Sequence, residues 1–270
     1  MSTDVAAPAE ATAPRTPAVT VLLGLPLLRV ALVALAAVIT WLLLLAAGER
    51  STFPPSLLFG AAIMLPVNVV SLVLVRRALH REGLRARDLI GFSWRRLGAD
   101  IAWGLLWLSA LSLPFALAIM GMMFALHGGA AFERFDTVFY DEAATPTLDR
   151  ALLAALAIVS VVTFAPLNAP AEELVYRGYS QGGLVRRWPA AVAVLVPAIV
   201  FAVQHVFYAA TPSAVPVYLV AYLVWGIGSG LIVLWQRRLM PIIVAHFLVN
   251  LMTSAPALVL TFLPEEAFVR

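Results

Sequence analysis

Ala151-Leu-Leu-Ala-Ala-Leu-Ala-Ile-Val-Ser-Val-Val-Thr-Phe-Ala-Pro-Leu167 runs through Asn168 into Ala169-Pro-Ala-Glu-Glu-Leu-Val-Tyr-Arg-Gly178. The first segment is an apolar run of the kind that enters a bilayer. The second places Glu172, Glu173 and Arg177 at its edge. A charge at the centre of a membrane helix costs roughly 2.5–3.5 kcal/mol on insertion scales and needs a partner or a water-filled cavity. Three such residues within six positions predict a polar site enclosed by membrane helices.

Composition agrees. The 270-residue chain is 62% hydrophobic and 12% charged, whereas soluble domains are about 25% charged and about 45–50% apolar. Several runs reach the length that spans a bilayer. The fold class expected is all-α, a polytopic transmembrane bundle forming one domain over 18–270, after an Ala/Thr/Pro-rich disordered tail over 1–17. The chain has no cysteine, which excludes disulfides, zinc fingers and thiol catalysis. Any metal would have to be held by His, Asp, Glu or backbone groups. All 18 basic residues are arginine, and most are spread over separate loops flanking the apolar runs. They read as topology signals, and no nucleic-acid partner is expected.

Outward from the central stretch, the spans fall at about Val19–Ala47, Pro55–Val75, Ile101–Leu126, Ala151 onward, Pro189–Tyr208, Val215–Trp235 and Pro241–Leu263. The first run is too long for a signal-peptide core and lacks a cleavage site, so it reads as a span. Arg29 interrupts it and is expected to snorkel to an interface, leaving Val30–Ala47 to cross. If residues 19–29 formed a separate interfacial helix, the count would become eight. Arginines cluster in the loops at 76–100, 186–188 and 236–239, while the loop at 128–150 is acidic. The positive-inside rule then puts the N-terminus in the cytoplasm.

Three polar constellations sit inside apolar segments. They are Glu172-Glu173-x-x-x-Arg177, Phe201-x-x-x-His205 and His246-x-x-x-Asn250. Glu173 and Arg177 are i,i+4 neighbours and read as a structural ion pair, with Glu172 left free for chemistry. Pro166 and Pro170 predict a kink or a new helix start just before them. Glu172 lies 16 residues before Trp188 and His205 lies 17 after it. Positions equidistant from the turn of a helical hairpin share one level, so the two are expected to face each other if both helices are regular. His246 and Asn250 join that level only if the hairpin protrudes further than the next one. Asn68 and Gln204 are expected to line the cavity. Trp225-Gly-Ile-Gly-Ser-Gly230 reads as close helix packing through small residues rather than a nucleotide loop.

Two schemes fit this set. A glutamate beside a histidine can take a proton from water, while a histidine and an asparagine stabilise an oxyanion. Alternatively, Glu172, His205 and His246 bind a divalent metal such as zinc that activates the water. Both are hydrolytic, and spacing does not choose between them.

Glu-Glu-Leu-Val-Tyr-Arg-Gly, Phe-Ala-Val-Gln-His and His-Phe-Leu-Val-Asn, in this order, resemble the three-motif signature of the CPBP family of intramembrane proteases. That family includes type II CAAX prenyl endopeptidases and bacterial bacteriocin-processing and self-immunity proteins. The resemblance covers roughly residues 150–255. It implies an endopeptidase in which Glu172 and His205 activate water and His246 and Asn250 stabilise the oxyanion. Glu173, Arg177 and Phe201 would shape the site, and the mechanism would be of the metallo- or glutamate type. The partners implied are the bilayer and a membrane-associated protein or peptide substrate. The loop Gln236-Arg-Arg-Leu-Met-Pro241 lacks the glycine expected before the last motif. The absence of lysine suggests a GC-rich bacterial source, hence a multi-pass protein of the plasma (inner) membrane. Rival readings are a non-enzymatic scaffold or self-immunity protein of the same fold and a proton-coupled transporter using the Glu/His set as a relay.

Overall fold

Inside a bilayer no water is at hand to satisfy backbone N–H and C=O groups, so apolar runs of this length close their hydrogen bonds within helices. The computed structural model describes residues 17–55, 57–141, 146 and 149–262. The tail expected over 1–17 lies outside the described residues except for Pro17, as do Glu142 in the acidic loop and the end of the last run at Leu263. Among the described residues the secondary structure is helical throughout, and seven helical segments are long and apolar enough to cross a membrane.

The long helices are α1 (Val19–Ala46), α2 (Leu57–Arg81), α4 (Leu97–His127), α9 (Ala190–His205), α10 (Ala214–Gln236) and α11 (Met240–Phe262). Short helices α3 (Ala86–Ile90) and α5 (Phe135–Phe139) lie in the loops. The fourth span is a rod made of α6 (Arg150–Val159), α7 (Ala165–Glu172) and α8 (Gly182–Leu184), joined by π-helical turns at Ser160–Phe164 and Glu173–Gln181. Asp149 caps its start by accepting from the Leu152 N–H at 2.8 Å, which satisfies a donor that the first turn would otherwise leave orphaned.

Three expectations are corrected here. First, α1 is one continuous helix with Arg29 inside it, so residues 19–29 are not a separate interfacial element. Second, Arg29 does not snorkel: it is 1% exposed, because acceptors on α2, the rod and α9 surround its guanidinium. Third, no new helix starts near Pro170. Pro166 and Pro170 have no N–H to give to the i→i−4 ladder, and the rod absorbs them with π turns on either side, a local widening that recurs at functional sites.

α10 packs against α9 and α4, α11 against α4 and α7, and α1 against α2 and α9. The small-residue run of α10 is the seam expected from its sequence. A Cβ at Gly226 would sit 3.0 Å from that of Ala198 on α9, and one at Gly230 would sit 2.9 Å from Val194. Leu22, Leu79, Tyr176, Phe201, Trp225 and Ile242 belong to one buried cluster around the polar centre. Leu42, Leu43, Leu113, Leu117 and Val162 face outward, an apolar surface suited to lipid.

Candidate active site

The site is built where the α7/π junction, α9 and α11 meet. Widening of the turn after Glu172 lets two successive glutamates reach the same imidazole. Glu173 Oε1 lies 2.8 Å from His246 Nδ1, and Glu172 Oε2 lies 3.5 Å from His246 Nε2. A carboxylate oxygen accepts, so the shorter contact is Nδ1–H of His246 donating to Glu173, which fixes the ring. His246 therefore stands at the level of Glu172.

Gln204, the residue before His205, donates through Nε2 to Glu172 Oε1 at 2.6 Å. The rod and α9 thus meet at the height set by their equal distances from Trp188. His205 Nδ1 lies 2.7 Å from the Phe201 carbonyl. A carbonyl only accepts, so Nδ1 carries the proton and Nε2 is left with its lone pair. The ring stacks on Tyr222 with centroids 3.7 Å apart and packs on Phe201 at 4.3 Å. Phe201 also lies under the Arg177 guanidinium at 4.1 Å.

Glu173 and Arg177 are paired, but at 3.5 Å. The hydrogen bonds of Arg177 go to Ser229 Oγ on α10, at 2.7 Å from Nη2 and 3.1 Å from Nε. The sequence reading left Glu172 free, and half of it is not. Its Oε1 accepts from Gln204 and from Arg29 Nη2 at 3.0 Å, whereas its Oε2 is buried without a hydrogen-bond partner. Arg29 in turn donates to Gln204 Oε1 (3.0 Å), Ser71 Oγ, Asn68 Oδ1 and Asn168 Oδ1 (2.8 Å each). Tyr176 donates to Gln204 Oε1 at 2.9 Å. Asn68 and Gln204 do line the site, as expected. Arg29, Ser71, Asn168 and Tyr176 were missed. The cost of an arginine inside an apolar run was a signal for the first, which snorkelling explained away.

Asn250 sits one turn after His246 on α11, 5% exposed, with its Nδ2 buried and unpartnered. Among the described residues no three His, Asp or Glu side chains converge as a metal-binding set. The positive charge against the Glu172 carboxylate is the Arg29 guanidinium. Both glutamates are fully buried. A cavity of about 650 Å³ lies on the arginine-rich side, walled by Glu82, Arg177, Tyr179, Arg186 and Arg237. Glu172, His205 and His246 are not on its wall and are themselves buried.

Residues 152–252 match the model of a family described as type II CAAX prenyl endopeptidase Rce1-like. No curated protein and no solved structure matches the chain. The matched segment holds Glu172, Glu173, Arg177, His205, His246 and Asn250 and leaves out Arg29, Asn68 and Ser71.

Proposed function

We propose, from the match of residues 152–252 to the type II CAAX prenyl endopeptidase Rce1-like model, an intramembrane endopeptidase that hydrolyses a peptide bond of a membrane-associated protein or peptide. The observation that carries this reading is the asymmetry of Glu172. One oxygen is held by two donors; the other is buried and has no hydrogen-bond partner. An unsatisfied buried acceptor is costly, and here it stands beside two histidines.

In the proposed reaction, water is held by Glu172 Oε2 and the lone pair of His205 Nε2. The carboxylate takes its proton as the oxygen attacks the scissile carbonyl carbon. Asn250 Nδ2–H donates to the developing oxyanion, as does the Nε2 edge of His246 when it carries a proton, its ring held by Glu173. The proton on Glu172 then passes to the leaving amine as the C–N bond breaks. No step is routed through a metal. The arginine-rich loops support a cytoplasmic placement of that end of the bundle, and the lysine-free composition supports a bacterial plasma membrane.

N-terminal proteomics of membranes with the wild-type chain and with Glu172→Ala tests the reading. New N-termini should appear with the wild type and vanish with the variant at equal membrane levels. Persistence of the same termini in the variant would sink the assignment. Elemental analysis and chelator treatment of the purified protein test the metal-free scheme, which fails if activity follows a bound divalent ion.

A further inference from the structure

Arg29 lies on α1, outside the segment that matches the family, yet it makes the closest charged contact to Glu172, at 3.0 Å with both side chains buried. The centre of the bundle holds two carboxylates and two guanidiniums arranged as pairs. Arg177 faces Glu173, Arg29 faces Glu172, and His246 stands between the two acids. Arg177 comes from the motif itself; Arg29 comes from α1, where it was expected to snorkel to an interface.

The contacts of Arg29 are specific to a guanidinium. Nε addresses one acceptor on α9, Nη1 one on α2, and Nη2 three, one on α2 and two on the rod. A fork of fixed geometry can do this; the single ammonium of lysine cannot. Stability alone is a poor reason for such a group. A buried ion pair recovers its desolvation cost only with good geometry, and apolar replacement of both partners is often neutral or better. What the fork does accomplish is to engage Glu172 Oε1 while Gln204, itself oriented by Arg29 Nε, engages the same oxygen. Oε2 is left as the one Glu172 oxygen without a hydrogen-bond partner, buried beside His246.

We propose that Arg29 is a positioning residue of this site, the resident counter-cation that fixes the Glu172 carboxylate with Oε2 turned to the reaction. α1 and α2 are then parts of the active centre and not only membrane anchors. This inference rests on the proposed function, and the experiment separates the two.

Wild type, Arg29→Lys, Arg29→Met and Glu172→Ala are purified in nanodiscs and assayed with an internally quenched farnesylated peptide ending in a CAAX tetrapeptide. Arg29→Lys keeps the charge and loses the fork. It should fold and lose kcat by about 10-fold, and Arg29→Met by about 100-fold, the size expected when a reacting group is misplaced by about 1 Å. KM should stay within twofold of wild type for both. Because Arg29→Met leaves Glu172 buried without its cation, its melting is also compared with Glu172→Gln and with the double variant. The double variant should melt above Arg29→Met alone. A folded Arg29→Lys with wild-type kcat, or strictly additive melting shifts, overturns the role of Arg29 alone, provided that Glu172→Ala is inactive. Activity in Glu172→Ala, or a wild type that cleaves neither this peptide nor any protein in the N-terminal proteomics of its membranes, overturns the proposed function and this inference with it.

Discussion

Replacing Arg177 by methionine separates what this arginine holds from what it covers. The Ser229 hydroxyl loses a donor partner but continues to donate to the Trp225 carbonyl at 2.8 Å. Methionine keeps an apolar stem over Phe201, where the guanidinium stood 4.1 Å from the ring centroid. The Glu173 carboxylate loses its guanidinium and keeps only the His246 Nδ1–H bond to Oε1: it is fully buried, and its Oε2 has no hydrogen-bond partner even in the wild type. Removing one member of a buried pair costs about 3–5 kcal/mol, and a desolvated cation–π contact about 2 kcal/mol. With part of the ring contact retained, a loss of about 4 kcal/mol is expected. Equilibrium unfolding in mixed micelles, followed by tryptophan fluorescence, measures it. The double variant Arg177→Met, Glu173→Gln should recover more than half, because no charge is then left alone and the new amide oxygen can still accept from His246 Nδ1–H. A loss below about 1 kcal/mol, the value of an exposed pair, would refute this reasoning. So would a double variant as unstable as the sum of the singles.

Asn250→Ala should lower kcat by about 10²–10³-fold, as loss of an oxyanion donor does. Its stability should be unchanged or raised, since a buried donor without a partner is removed; parallel cleavage and melting assays decide. Gly226→Leu drives a side chain into Ala198, against which even a Cβ would stand at 3.0 Å. A cost of about 2–3 kcal/mol is expected, and cleavage should fall with it because Ala198 and His205 share α9; wild-type melting would contradict the seam. Arg237 ends α10 with φ 54°, a conformation that costs an ordinary residue roughly 1–2 kcal/mol. Arg237→Gly should therefore raise stability by about 0.5–1 kcal/mol after its own entropy loss, and a lower melting temperature would count against that strain. This is the loop in which the sequence lacked an expected glycine, and the backbone conformation supplies the reason for expecting one.

The apolar runs by themselves determined an all-α membrane bundle and its seven spans, because without water the backbone has no alternative to a helix. Charges too costly to bury idly marked Glu172, Glu173 and Arg177. The count from Trp188 then put Glu172 level with α9, and Gln204 meets it there even though the rod between Glu172 and Trp188 widens into a π turn. Helical spacing also announced the Glu173–Arg177 pair and the small-residue seam of α10. Tertiary structure alone decided how those charges are shared. Which oxygen of Glu172 is held, that Glu173 takes His246 in hydrogen bond while Arg177 turns to Ser229, and that Arg29 enters the site from the far end of the chain all depend on the way helices rotate and pack. A residue's spacing gives its face on its own helix, but the partner across the interface is chosen by the fold. Arg29 shows the difference: as a residue on one helix it looks like a misplaced charge, and only with α2, the rod and α9 around it does its guanidinium have five acceptors.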